Sequence, residues 1–131
     1  MSHLGDITKI KGNEVPITDV VCFGAPCQDI SQAGLRKGMK HTEMGDEETT
    51  RSGLFFDAVR VIKEMRAEDA ERGNTDVDIR PRYGVYENVV GAFSSNGGLD
   101  FQAVLQELVK VAEPKAPTVP VPEKEIGRAH V

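Results

Sequence analysis

Apolar residues gather in four clusters along the chain, and their spacing predicts strands alternating with helices. Residues 17–24, Ile-Thr-Asp-Val-Val-Cys-Phe-Gly, form a short apolar run closed by Gly24 and Pro26, which predicts a buried strand running into a loop. From residue 28 to about residue 50, Gly, Ser, Lys and acidic residues mix without a period, as in the long loops that carry function beside strand ends. Leu54, Phe55, Ala58, Val59, Val61, Ile62 and Met65 then recur at helical spacing, with Ser52 placed to cap the helix they predict. A polar stretch over 66–82 leads to a second apolar run, 83–90, read as another strand. Residues 99–111 repeat the helical pattern, with Phe101, Val104, Leu105, Leu108 and Val109 on one face and Asp100 near the positive end.

Strand, loop, helix, taken twice, is the order of an α/β chain whose parallel sheet is covered by helices. Ligands in such folds gather outside the carboxyl ends of the strands, where Cys27 and Glu87 both fall. Residues 113–125 are rich in proline and charge and have no apolar period, so 113–131 is expected to be a linker or disordered tail. Its last six residues, Ile-Gly-Arg-Ala-His-Val, look like one reading frame of a common sequencing-library adapter and are read as an assembly artefact. No internal repeat is visible.

Composition narrows the classes. The chain has 131 residues, 39% hydrophobic and 28% charged, without Trp and with two Tyr and five Phe, so any core rests on aliphatic side chains and is modest in stability. A net charge of -5 argues against a stand-alone duplex binder, since phosphate affinity comes from clustered Lys and Arg. Arg36, Lys37, Lys40 and His41 make the one compact basic patch, which reads equally well as a solvated loop. Cys22 and Cys27 are too few for a disulfide framework or a zinc site, so no metal is expected and a reducing compartment is the default. No segment has a signal-peptide layout or the length of a membrane span, which places the chain in the cytoplasm with no membrane partner.

Cys27, alone at a strand end between Pro26 and Gln28, is placed like a nucleophile, although from position alone a structural or incidental thiol is the better reading. The residues around it go further. Gly24-Ala25-Pro26-Cys27-Gln28-Asp29-Ile30-Ser31, followed by Gln32-Ala33-Gly34, resembles the nucleophile motif of the DNA cytosine-5 methyltransferases, with Ala25 a mild departure. Three more matches occur in the family's order over roughly residues 5 to 108. Gly5-Asp6-Ile7-Thr8 looks like the segment whose aspartate meets the adenine amino group of the cofactor. Thr50-Arg51-Ser52-Gly53-Leu54-Phe55-Phe56 resembles the segment that opens a helix and lines the cofactor pocket, and Tyr86-Glu87-Asn88-Val89 is similar to the Glu-Asn-Val strand motif.

The resemblance implies an α/β, partial Rossmann-like S-adenosylmethionine-dependent methyltransferase fold over residues 1–112, its parallel strands flanked by helices and its N-terminal and C-terminal parts missing. It implies methyl transfer from S-adenosylmethionine to carbon 5 of a cytosine flipped out of double-stranded DNA, in a setting such as restriction-modification. Carbon 5 is a poor nucleophile, so the Cys27 thiolate first adds to carbon 6, and Glu87 is assigned to relieve the charge at ring nitrogen 3. To donate there at neutral pH, Glu87 needs a closed, poorly solvated site. Pro26, Gln28, Ser31 and Asn88 are carried over as substrate-binding residues, and Asp6, Ile7 and Leu54 as cofactor-binding ones. Blander readings stay open beside these: a turn cap for Asp6, helix packing for Leu54, backbone bracing near Glu87 for Asn88 and a core position for Cys22.

The family's glycine-rich turn, acidic ribose contact, arginine-bearing motif, recognition region and closing helix have no counterpart here. The chain is therefore expected to be inactive alone, as a truncated enzyme or as one completed by a second chain. A noncatalytic DNA- or protein-binding remnant of the same fold is the alternative. A cysteine enzyme of another kind lacks a histidine partner, because His3, His41 and His130 lie in the start, the loop and the tail.

Overall fold

The computed structural model describes residues 3–25 and 47–121, with backbone alone for 47–52. Two strands, β1 (Val20–Gly24) and β2 (Tyr83–Glu87), pair in parallel with Val20 opposite Tyr83 and Gly24 opposite Glu87. Helix α1 (Glu47–Glu71) crosses between them, and α2 (Leu99–Ala112) follows β2. This is an α/β unit with a small parallel sheet, as the alternating pattern predicts.

The core forms where α1 and α2 meet one face of the sheet. Phe55, Val59 and Val104 are almost wholly buried, joined by Ala25 and Ala92, with Phe23, Phe56, Tyr86, Leu108 and Val111 packed around them. Phe55 stands edge-on to Tyr86 at 5.8 Å, and Phe23 lies 5.2 Å from Tyr86, so three rings tie the sheet to α1. Burying a Phe or Val side chain contributes roughly 1.5–3 kcal/mol each, which makes this cluster the main source of stability.

Several expected boundaries move. Helix α1 begins before Ser52, which sits inside it instead of capping it, because its first turns are polar and give no apolar period. At the other end α1 continues through Ala67, Glu68 and Ala70, good helix formers within the stretch read as polar loop, and stops before Gly73, whose φ is +104°. Buried Asp69 then fixes the connection from α1 to β2: its Oδ2 accepts the backbone N–H of Arg80 at 2.8 Å and the Asn74 amide at 2.9 Å. Arg66 donates to the carbonyls of Ile79 and Pro81, setting the approach to β2.

Strand β2 ends at Glu87, three residues short of the apolar run. Asn88 Oδ1 takes the N–H of Val89 at 2.8 Å and turns the chain into the short 3-10 turn Val90–Phe93. Helix α2 starts from Gly98 in the left-handed region, φ 91°. Asp100 in its first turn is buried and accepts Ser95 Oγ at 2.6 Å, whereas Val109, expected on the packed face, is exposed. Residues 113–121 have no regular structure but run back along α2, where Gln106 Oε1 accepts the N–H of Val119 at 2.7 Å and Gln102 donates to its carbonyl. Cys22, expected in the core, is exposed, because the sheet face it occupies meets no helix among the described residues.

Candidate active site

The carboxyl ends of β1 and β2 lie side by side, and three side chains define what happens there. The Ala25 carbonyl, one residue beyond β1, accepts the Asn88 amide at 2.9 Å and the Tyr86 hydroxyl at 3.2 Å, while Asn88 Nδ2 also donates to the Tyr86 oxygen at 2.6 Å. Asn88 therefore braces the exit of β1 as well as its own strand end. Glu87, exposed, pairs in register with Gly24, where a Cβ would stand 3.2 Å from its Oε2. A side chain at position 24 would thus crowd the carboxylate. Beside this end of β2 opens a largely apolar cavity of about 400 Å³ whose wall includes Glu87, Asn88, Phe93, Phe101, Leu105 and Leu108.

The N-terminal segment is fastened separately. Gly5 has φ +86°, the left-handed conformation that favours glycine, and Asp6 caps the 3-10 turn Ile7–Lys9. Asp6 Oδ1 accepts the N–H of Thr8 at 3.0 Å and its hydroxyl at 2.9 Å, which together hold its carboxyl below the usual range. The cap reading of Asp6 is thus realised, and an anionic carboxylate remains on the surface. From α1, Arg60 donates to the carbonyls of Ile7 at 3.0 Å and Ile10 at 2.9 Å and pairs with Glu64 at 3.0 Å. Glu64 Oε2 in turn accepts the N–H of Gly12 at 2.6 Å, a bond that lowers its carboxyl, with Arg60 adding to the effect. Gly12 is required by proximity, since a Cβ there would stand under 3.0 Å from Val61 O, Glu64 Cβ and Met65 N.

Sequence reasoning did not find Arg60, Glu64, Gly12 or Tyr86. The i,i+4 spacing of Arg60 and Glu64 signals a helix surface pair, but nothing in it announces two distant carbonyls as further partners. Leu54 is 37% exposed on α1 and so only partly packed, whereas its neighbour Phe55 is fully buried. The structure thus joins Asn88 to the β1 exit, sets Gly24 against Glu87, and fastens Ile7 to α1 through Arg60. Pro26, Cys27, Gln28 and Ser31 lie outside the described residues, as do the basic patch at 36–41 and residues 122–131. Among the described residues no three His, Cys, Asp or Glu side chains converge as metal ligands, and no helix is long and apolar enough to cross a membrane.

A family model described as C-5 cytosine-specific DNA methylase matches residues 1–112. The chain belongs to this family. Among curated proteins, the type II methyltransferase M.BsuFI of Bacillus subtilis is 32% identical over 104 residues, 79% of this chain and 20% of the relative. The type II methyltransferase M1.ScrFI of Lactococcus lactis subsp. cremoris is 34% identical over 104 residues, 79% of this chain and 21% of its own. The type II methyltransferase M.HhaI of Haemophilus parahaemolyticus is 37% identical over 62 residues, 47% of this chain and 16% of its own. The chain therefore spans about a fifth of the length of the first of these relatives. No solved structure matches.

Proposed function

We propose that the chain is part of an enzyme that methylates carbon 5 of cytosine in DNA through a covalent Cys27 adduct. The observation that carries this reading is the joining of the two strand ends. The carbonyl two residues before Cys27 is bonded to the residue directly after Glu87, so the nucleophile motif and the Glu-Asn-Val motif meet at one edge of the sheet. In this reading the Cys27 sulfur bonds to carbon 6 of the flipped base, the ring electrons move toward carbon 5 and nitrogen 3, and the Glu87 carboxyl hydrogen-bonds nitrogen 3. Pro26, Gln28 and Ser31 line the base, and Asn88 acts by holding the β1 exit.

The cofactor side fits S-adenosylmethionine. Asp6 is kept as a surface anion able to accept an adenine amino group, Ile7 is held by Arg60, and Leu54 offers an exposed apolar side chain. Bound, the cofactor would supply the electrophilic methyl group. The parallel strands and crossing helix are read as part of a Rossmann-like sheet, and the setting as the cytoplasm.

A duplex containing 5-fluorocytosine tests the chemistry. The full-length enzyme is expected to be trapped as a covalent complex and the Cys27→Ser variant to be released; trapping of the serine variant would overturn the reading. The 131-residue chain alone is expected to show no turnover and no low-micromolar S-adenosylmethionine binding by calorimetry.

A further inference from the structure

We propose that Tyr86 is a positioning residue for the nucleophile: with Asn88 it clamps the Ala25 carbonyl, two residues before Cys27 in the sequence, and so restrains the end of β1 from which the nucleophile motif continues. This inference rests on the methyltransferase reading, in which the placement of the residue two positions after Ala25 governs the rate of adduct formation.

Three polar groups converge at the clamp. Asn88 Nδ2 lies 2.6 Å from the Tyr86 oxygen and 2.9 Å from the Ala25 carbonyl. The Tyr86 hydroxyl lies 3.2 Å from the same carbonyl and donates to it, so that one oxygen accepts from both side chains. Asn88 Oδ1 is engaged by the N–H of Val89, so the amide cannot flip without losing bonds. The Tyr86 ring is itself held by Phe23 at 5.2 Å and by fully buried Phe55 at 5.8 Å, which gives the hydroxyl a stiff support.

The sequence says why this carbonyl is the useful one to hold. Ala25 is followed by Pro26 and then Cys27. A proline has no N–H and a ring-fixed φ, and the peptide plane ahead of it is rigid. An orientation imposed on the preceding carbonyl therefore passes to the next residue with little slack. Displacements of about 1 Å at a reacting group can cost about a hundredfold in rate, so a clamp at this point acts on the chemistry and not on DNA affinity.

The test is single-turnover trapping of the full-length enzyme on 5-fluorocytosine DNA, with DNA affinity and Tm measured beside it. Tyr86→Phe keeps the ring and removes the hydroxyl; it is expected to slow adduct formation roughly tenfold with DNA affinity unchanged. Asn88→Ala should slow it at least as much. The double variant should fall short of the product of the two effects, because both groups act on one oxygen. Ile62→Ala removes a buried α1 side chain outside this aromatic cluster and is expected to lower Tm while the folded enzyme is trapped at the wild-type rate. Wild-type trapping in Tyr86→Phe, or a slowing matched by Ile62→Ala at equal loss of Tm, would overturn the clamp and leave the function standing. Absence of any wild-type adduct, or an adduct in Cys27→Ser, would instead remove the function and the clamp together.

Discussion

On one face of the β1–β2 pair, Val21, Phe23 and Tyr86 turn toward α1, and the ring contacts with Phe55 close the space between sheet and helix. On the other face Val20, Tyr83 and Val85 are 46%, 64% and 50% exposed, with Cys22 exposed among them. Both faces are apolar, so composition does not separate them. The difference lies in cover: the first has a helix and the second has none among the described residues. An antiparallel sheet made to face water alternates apolar and polar positions, whereas parallel strands in α/β proteins are apolar on both sides because helices cover both. Stability is therefore concentrated on the covered side, together with the Tyr86 ring, whereas Glu87 alternates onto the same face as Tyr83 and Val85.

The largest expected effect tests that concentration. Phe55→Ala removes the ring on which both Phe23 and Tyr86 rest and is expected to cost about 3–5 kcal/mol, a large part of the stability of a small domain. Urea unfolding of the purified chain would show this as a strongly lowered midpoint. Equal costs for Phe55→Ala and Val85→Ala would mean that the second face is covered in solution, and the contrast would be lost.

Gly12→Ala comes next, at about 1–3 kcal/mol, because the added methyl meets the α1 backbone at Val61 and Met65 and has no flexible neighbour to displace there. The same substitution at Gly53, where a Cβ would meet nothing within 4 Å, is expected to be neutral or slightly stabilising in the helix. Thermal melts of the two variants give the comparison directly.

How far the sequence announced all this differs between the elements. The apolar period found the two strands and the middle of each helix, because Phe55, Val59 and Val104 are the residues that fill the core. It missed the ends of α1, where the signals are polar: Asp69 is buried for its hydrogen bonds and not for its hydrophobicity. Motif resemblance located Glu87 and Asn88, but the clamp needs Tyr86 and Ala25 as well, and a partnership between residues 61 positions apart becomes visible only once the strands pair. Arg60 is similar: an amphipathic pattern sorts it to the surface, and only the folded chain shows two carbonyls within its reach.

A smaller effect comes from the carboxylates that make these fastenings. Asp69 is held below its ordinary value first by the N–H of Arg80 and then by Asn74, and Glu64 first by the N–H of Gly12 and then by Arg60. A carboxylate with a lowered folded value stabilises the fold at pH above its unfolded value. That stability is lost as the pH falls below about 4 and through the lowered folded values. Tm measured between neutral pH and pH 3 should therefore drop less steeply in Asp69→Asn than in wild type, although the variant starts lower. Parallel curves would mean that Asp69 is not the carboxylate being titrated.

The smallest effect bears most directly on the contrast between the faces. Val85→Thr exchanges a methyl for a hydroxyl at a half-exposed position, and in this chain the cost should stay within about 0.5 kcal/mol. If the chain is part of a longer enzyme whose sheet is covered on both sides, the same exchange there buries a hydroxyl and should cost about 1–3 kcal/mol. Cys22, opposite Val85 in the register, reports on the same face without changing its packing. In a Cys27→Ser background its thiol should react readily with an aromatic disulfide reagent in the isolated chain and slowly in the folded full-length protein. Equal reactivity in the two would show that the apolar face stays open to water, and the double-sided composition of the strands would then need an explanation other than cover.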